Sequence, residues 1–136
     1  MKFGDKITKL RKEKKLTQEE LAKAVGVVKR TILKYENEGI YPRKREVYQK
    51  LAKVLDCDIE YLLTDDEEFV IEAHEKYGSR GAKDAQELIA KASGLFAGGD
   101  ITEEMKDEVM KALQDAYWLA KKINVKYTPK KYLKDE

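Results

Sequence analysis

Apolar side chains recur every three or four residues along this chain, and no segment alternates apolar and polar positions for long. That period belongs to the α-helix and not to a half-buried strand, so the pattern predicts an all-α fold. Phe3, Ile7 and Leu10 begin the first helix, and Lys14 and Lys15 lie near its end, where cations suit the helix dipole. Thr17 then precedes Gln18-Glu19-Glu20, a capping box with acids in the first turn of a second helix. Leu21, Ala22 and Val25 form its inner face and Gly26 ends it. A third helix is expected from about Val28 to Asn37, stopped by Gly39 and Pro42. Lys44 to Leu55 reads as a fourth, with Val47, Leu51, Val54 and Leu55 inward. Asp58 is placed to cap a short fifth helix carrying Ile59, Leu62 and Leu63.

The acidic run Asp65-Asp66-Glu67-Glu68 changes the character of the chain. It sets an expected boundary near Thr64, with a bundle of five short helices in residues 1–64 and a helical segment in residues 65–136. The second part contains three helical stretches with i, i+3, i+4 periodicity. The first carries Phe69, Val70, Ala73 and Tyr77 and ends at Gly78. The second carries Ala85, Leu88, Ile89, Ala92, Leu95 and Phe96 and ends at Gly98-Gly99. The third is capped by Thr102 and carries Met105, Val109, Leu113, Ala116, Tyr117, Ala120 and Ile123. A frayed tail is expected from Tyr127 onward.

Composition narrows the class of protein. A chain of 136 residues, 42% hydrophobic and 40% charged, is foldable and holds one domain or a small domain with a modest second element. Two parts this small are marginal alone and are expected to lean on a partner. The net charge is +2, but residues 1–64 hold 16 Lys+Arg against 10 Asp+Glu, a balance of +6. Residues 65–136 hold 12 against 16, a balance of −4. A basic first part joined to an acidic second part points to nucleic acid as the partner of the first alone. The basic N-terminus lacks the apolar core of a signal peptide, and no run reaches membrane-spanning length. The lone cysteine, Cys57, sits between Leu55 and Ile59 and reads as a small core residue. The expected location is therefore the cytoplasm.

Residues 17–39 carry the chemistry. On the third helix, Lys29, Arg30, Leu33 and Lys34 fall within one arc of roughly 140°, at 3.6 residues per turn. Val28, Ile32 and Tyr35 fall on the other side, facing the expected bundle. No acid occurs from Leu21 through Tyr35, so nothing there repels phosphate. Arg and Lys can donate to guanine O6 and N7, and an exposed aliphatic group can pack on a thymine methyl, as major-groove reading requires. A solvated surface face is the bland alternative, but such faces more often mix signs.

With Ile7, Leu10, Arg11, Leu16, Thr17 through Ala22, Gly26-Val27, Thr31-Ile32, Tyr35-Glu36-Asn37, Pro42, Leu51-Ala52, Leu55 and Tyr61-Leu62-Leu63, the chain resembles the Cro/CI-type (XRE) helix-turn-helix regulators. The resemblance implies a lambda-repressor-like five-helix domain whose motif covers about residues 18–37. It implies that Lys29, Arg30, Leu33 and Lys34 face base edges, and that Gln18, Val28, Arg43 and Lys44 lie along the DNA backbone. It also implies that Arg11 and Glu36 form a structural bridge between the first and third helices. Val28 stands where the family commonly has a small hydroxyl residue. Asn37-Glu38-Gly39 lengthens the turn after the reading helix and leaves the placement of Ile40 and Tyr41 open.

Other chemistry finds little support. His74-Glu75 lacks the second histidine of a zinc-protease motif, since Gly78 occupies that position. No ligand set, nucleophile–base arrangement or phosphate-binding loop stands out, so no catalytic residue, metal or cofactor is expected. The second part, with Ala92 through Gly99, Thr102-Glu103-Glu104, Val109 through Gln114 and Tyr127 through Tyr132, resembles the C-terminal segment of immunity-type repressors of mobile elements in Gram-positive bacteria. That implies a repressor, with relief by an anti-repressor peptidase. Leu95, Phe96, Leu113, Tyr117 and Trp118 supply a large apolar payload, either for a self-contained core or for a homodimer interface. A dimeric repressor reading a palindromic operator in double-stranded DNA is the leading expectation. The alternative is the antitoxin of a toxin–antitoxin pair, in which this segment binds a toxin; a small-molecule sensor would need a polar pocket that the pattern does not suggest.

Overall fold

Seven helices account for the regular structure in a computed structural model that describes residues 1–127. They are α1 (Phe3–Glu13), α2 (Gln18–Val25), α3 (Lys29–Asn37), α4 (Arg45–Leu55), α5 (Ile59–Leu62), α6 (Asp65–Phe96) and α7 (Glu103–Tyr127). The expected tail beyond Tyr127 lies outside the described residues, and with it most of the motif at residues 127–132.

The boundaries follow local chemistry. Thr17 Oγ1 accepts from the Glu20 amide and Glu20 Oε1 accepts from the Thr17 amide, both at 3.0 Å, which completes the capping box of α2. Gly26 takes φ 86°, the left-handed turn that ends α2. Asp58 stands at the N-cap of α5, but its side chain makes no capping bond there, contrary to expectation. An unforeseen partner caps α6. The Glu67 carboxylate accepts from the Thr64 amide at 3.0 Å and from the Thr64 hydroxyl, so the acidic run is partly a helix start and Glu67 is buried.

Phe3 and Ile7 of α1, Leu21 and Val25 of α2, Ile32 and Tyr35 of α3, Leu51 and Leu55 of α4, and Leu62 of α5 close one core. Tyr48 is fully buried there, while Val47 and Val54 lie half-buried at its edge. The Phe3 ring meets Tyr35, Tyr41 and Tyr48 edge-on, with centroids 5.8, 5.8 and 5.4 Å away. Each such pair adds about 0.5–1.5 kcal/mol beyond its area burial. Gly4 permits this approach of α1 to α3, because a Cβ there would lie 2.4 Å from the Tyr35 carbonyl oxygen.

Contacts divide the chain into two compact units, Met1–Lys91 and Ala92–Glu136. The first is longer than the five-helix bundle, because α6 adds Ile71 to the core and bonds to the bundle at two further points. Arg45 makes a two-pronged bridge to Glu68, with Nη1 donating to Oε2 at 2.9 Å. Gln86 accepts from the Tyr41 amide at 2.9 Å and donates to the Gly39 carbonyl at 2.7 Å. α6 breaks at Gly78, where φ 72° and ψ −159° suit glycine almost alone. The break coincides with the helix end expected at Gly78.

In the second unit, α6 ends at Phe96 and Gly98 turns the chain at φ 81°. Thr102 Oγ1 accepts from the Met105 amide at 3.2 Å and starts α7 as expected. The expected inward face is only partly inward. Leu113 and Tyr117 are half-buried, whereas Met105, Val109, Ala116, Ala120 and Ile123 are exposed, and the buried Met110 was not part of that face.

Candidate nucleic-acid interface

The turn between α2 and α3 is built by Gly26 and Val27, whose amides both donate to the Ala22 carbonyl at 2.9 Å. Val28 follows in extended conformation as the N-cap of α3 and gives no side-chain cap, because valine carries no acceptor. It does not join Ile32 and Tyr35 on the inward side as its helical phase suggested. At 69% exposure it points to solvent, since a residue before the first helical turn does not follow the helix's angular spacing. Ile32 and Tyr35 are buried as expected.

Lys29 and Arg30 are fully on the surface, and Leu33 and Lys34 are half-buried beside them on α3. Arg43 and Lys44 are exposed in the segment leading into α4, with Lys44 as its N-cap. Among the described residues no ion pair engages Lys29, Arg30, Lys34, Arg43 or Lys44. Their charge is available to an outside partner, unlike that of Arg11 and Arg45.

The angle of α3 is held by a buried polar cluster. Arg11 Nε and Nη2 donate to the two Glu36 oxygens at 2.8 and 3.1 Å, and Arg11 Nη1 donates to the Leu16 carbonyl at 2.9 Å. The side chains are 12% and 2% exposed. Gln18 Nε2 also donates to Glu36 Oε1 at 3.2 Å, so Gln18 joins α2 to α3 from the edge of a polar cleft shared with Arg11, Thr17, Glu19 and Lys29. Burial pushes the Glu36 carboxyl upward, but the bonds from Arg11 and Gln18 and the guanidinium charge outweigh it. The group ends below the ordinary carboxylate range.

A helix-turn-helix family model matches residues 7–62, which contain this whole arrangement. YobD, an uncharacterized HTH-type transcriptional regulator of Bacillus subtilis (strain 168), is 30% identical over 114 residues, covering 82% of this chain and 93% of that protein. The chain belongs to the helix-turn-helix regulators of the Cro/CI (XRE) type. An immunity repressor protein of Bacillus phage phi105 is 28% identical over 144 aligned residues, covering all of this chain and 99% of that protein. The cryptic phage CTXphi transcriptional repressor RstR of Vibrio cholerae is 45% identical over 65 residues, 48% of this chain and 58% of its own length. No solved structure matches significantly.

Within this helix-turn-helix unit the lengthened turn after α3 has a defined placement. Gly39 takes φ 66°, Ile40 and Tyr41 pack against the core, and Gln86 holds the main chain on either side of Ile40. Nothing in the sequence marks Gln86, 47 positions from Gly39. The Thr64-x-x-Glu67 pattern at the start of α6, in contrast, was readable. In the second unit Leu95 is 80% exposed, while Phe96, Leu113, Tyr117 and Trp118 are half-buried. The Tyr117 and Trp118 rings meet edge-on at 5.2 Å. Cys57 packs against the core, where burial and the charges of Asp58 and Asp56 push its thiol up. No group of three or more His, Cys, Asp or Glu among the described residues is placed to hold a metal, and no described helix is long and apolar enough to cross a membrane.

Proposed function

We propose that this protein is a transcriptional repressor that binds its operator as a homodimer and reads the major groove with α3. The observation that carries the reading is the surface of α3 and the start of α4. Five cations without an ion pair among the described residues lie beside a helix whose angle is set by the buried Arg11–Glu36–Gln18 cluster. In helix-turn-helix proteins the second helix of the motif enters the groove with its N-terminal residues at base edges. Lys29, Arg30, Leu33 and Lys34 take that role here. Val28, Arg43 and Lys44 lie along the phosphates, and Gln18 supports them through Glu36. Full-length similarity to a protein named as an immunity repressor supports repression as the outcome.

Dimerisation through the second unit follows from the need for two half-sites, with the two reading helices about 34 Å apart. The exposed Leu95 and the apolar α7 support it. A DNA partner fits a cytoplasmic location.

The test is binding to duplex DNA across a salt series, with the operator selected from random sequence. Contacts to about six phosphates by one DNA-binding domain, residues 1–64, give a log–log slope near −5, and the dimer about twice that. Arg30→Ala should weaken the preferred site by roughly 1–3 kcal/mol and leave random DNA little changed, whereas Lys44→Ala should weaken both alike. Equal effects on both kinds of DNA would remove α3 as the reading element, and a flat salt response would remove DNA as the partner.

A further inference from the structure

Four of the large hydrophobic side chains that the described residues leave exposed lie on α7: Met105, Val109, Leu119 and Ile123, between 41% and 60% exposed. With Ala112 and Ala116, which are also exposed, they are spaced 4, 3, 4, 3 and 4 residues apart. At about 100° per residue the six fall within an arc of roughly 80°. This is the a/d seam of a coiled coil, with Val109, Ala116 and Ile123 at a and Met105, Ala112 and Leu119 at d. Met110, Leu113 and Tyr117 belong to a different, half-buried or buried face, so α7 has two apolar faces, and one of them has no cover among the described residues.

We infer that this seam pairs with the same seam of a second copy of the chain, with the two α7 helices antiparallel; the inference rests on the dimer reading above and assigns its interface. The stripe is self-complementary in that direction. Antiparallel pairing sets a against d, and one register satisfies all six positions: Met105 against Ile123, Val109 against Leu119, and Ala112 against Ala116 of the second copy. The two small layers meet at the centre, where the helices can approach closely, and large side chains fill the ends.

Flanking charges choose the direction. Positions g face each other in an antiparallel pair, so Glu108 meets Lys122 of the second copy twice by symmetry. A parallel pair would set g against e and place Glu108 against Leu113 and Asp115 against Ala120 of the second copy, with no charge matched. The β-branched residues at a, Val109 and Ile123, suit a two-stranded pairing. One position opposes the antiparallel arrangement. Asp115 lies beside its own copy at the two-fold axis, so its neutralisation should tighten the pair.

The test uses the full chain. Sedimentation should show a dimer at micromolar concentration. Leu119→Glu should weaken it about 30-fold or more, because it puts a charge into an apolar layer of the seam, with helicity retained because the site is already exposed. Glu108→Lys should weaken it about fivefold and Lys122→Glu in the same chain should restore it, while Asp115→Asn should strengthen it. In a Cys57→Ser background, Ala112→Cys mixed with Ala116→Cys should form a disulfide between copies. Ala112→Cys alone should not, since the two sites are offset about 6 Å along the axis before the helix separation is added. A monomeric full-length chain would overturn the dimer reading and the seam together. A dimer indifferent to Leu119→Glu, or one cross-linked by Ala112→Cys alone, would overturn this seam or its direction and leave the dimer standing.

Discussion

Replacing Glu36 with Gln tests how much of the position of α3 depends on one carboxylate. Three donors converge on it, Arg11 Nε at 2.8 Å, Arg11 Nη2 at 3.1 Å and Gln18 Nε2 at 3.2 Å. A glutamine keeps the shape but turns one acceptor oxygen into an NH2 group that faces donors. It also leaves the guanidinium in a site with little access to water. Breaking a buried pair by removing one partner costs about 3–5 kcal/mol. The lower figure applies here, because Arg11 keeps the Leu16 carbonyl and some solvent. With an m-value of ~1.5 kcal/mol/M, a loss of about 3 kcal/mol lowers the urea midpoint by about 2 M. Urea unfolding followed by far-UV circular dichroism measures it. Arg11→Met and the double variant close a cycle whose coupling should exceed about 1 kcal/mol.

The same carboxylate sets a dependence on pH. Its folded value is depressed, so its contribution is fully present above the unfolded value near 4.3 and is lost as pH falls through the lower folded value. Glu36→Gln should therefore show a shallower loss of stability below about pH 4.5 than the parent chain, over the range set by that shift. Single variants that move the midpoint by less than about 0.5 M, together with an additive double variant, would refute the reasoning.

Gly4→Ala should destabilise the first unit by about 1–3 kcal/mol, measured by the same unfolding curve, because the added methyl would meet the Tyr35 and Glu36 carbonyls. Gly78→Ala should cost about 1–3 kcal/mol because alanine does not tolerate its backbone angles. Gly94→Ala, on the same helix in open space, should gain about 0.5–1 kcal/mol, so the two substitutions should shift thermal midpoints in opposite directions. Cys57 should react with a thiol reagent near pH 8 more slowly than a free cysteine and accelerate in urea, since burial and two neighbouring aspartates raise its folded pKa.

The five helices of the first bundle were legible because their signals are local. Thr17 with Glu20, Gly26, and the apolar residues at helical spacing each act within one or two turns. The family resemblance added the Arg11–Glu36 bridge, which spacing alone does not reveal. Where reasoning from helical phase failed, the reason is local too. Val28 precedes the first turn of α3, so it has no inward phase, and it faces solvent. Asp58 occupies a cap position, but its side chain makes no capping bond there.

Charge and period along the chain therefore determined that this protein is helical and that its first part carries an acid-free cationic helix. They also determined where most helices start and stop. Tertiary structure decided which polar residues are spent inside the protein and which remain for a partner. Arg45 and Lys44 are neighbours of similar charge, yet only Arg45 is tied, because Glu68 of α6 reaches it. Gln86 holds the loop after α3 from 45 positions away. On α7 the expected apolar residues divide between exposed Met105, Val109 and Ile123 and half-buried Leu113 and Tyr117, a division that helical period alone does not encode.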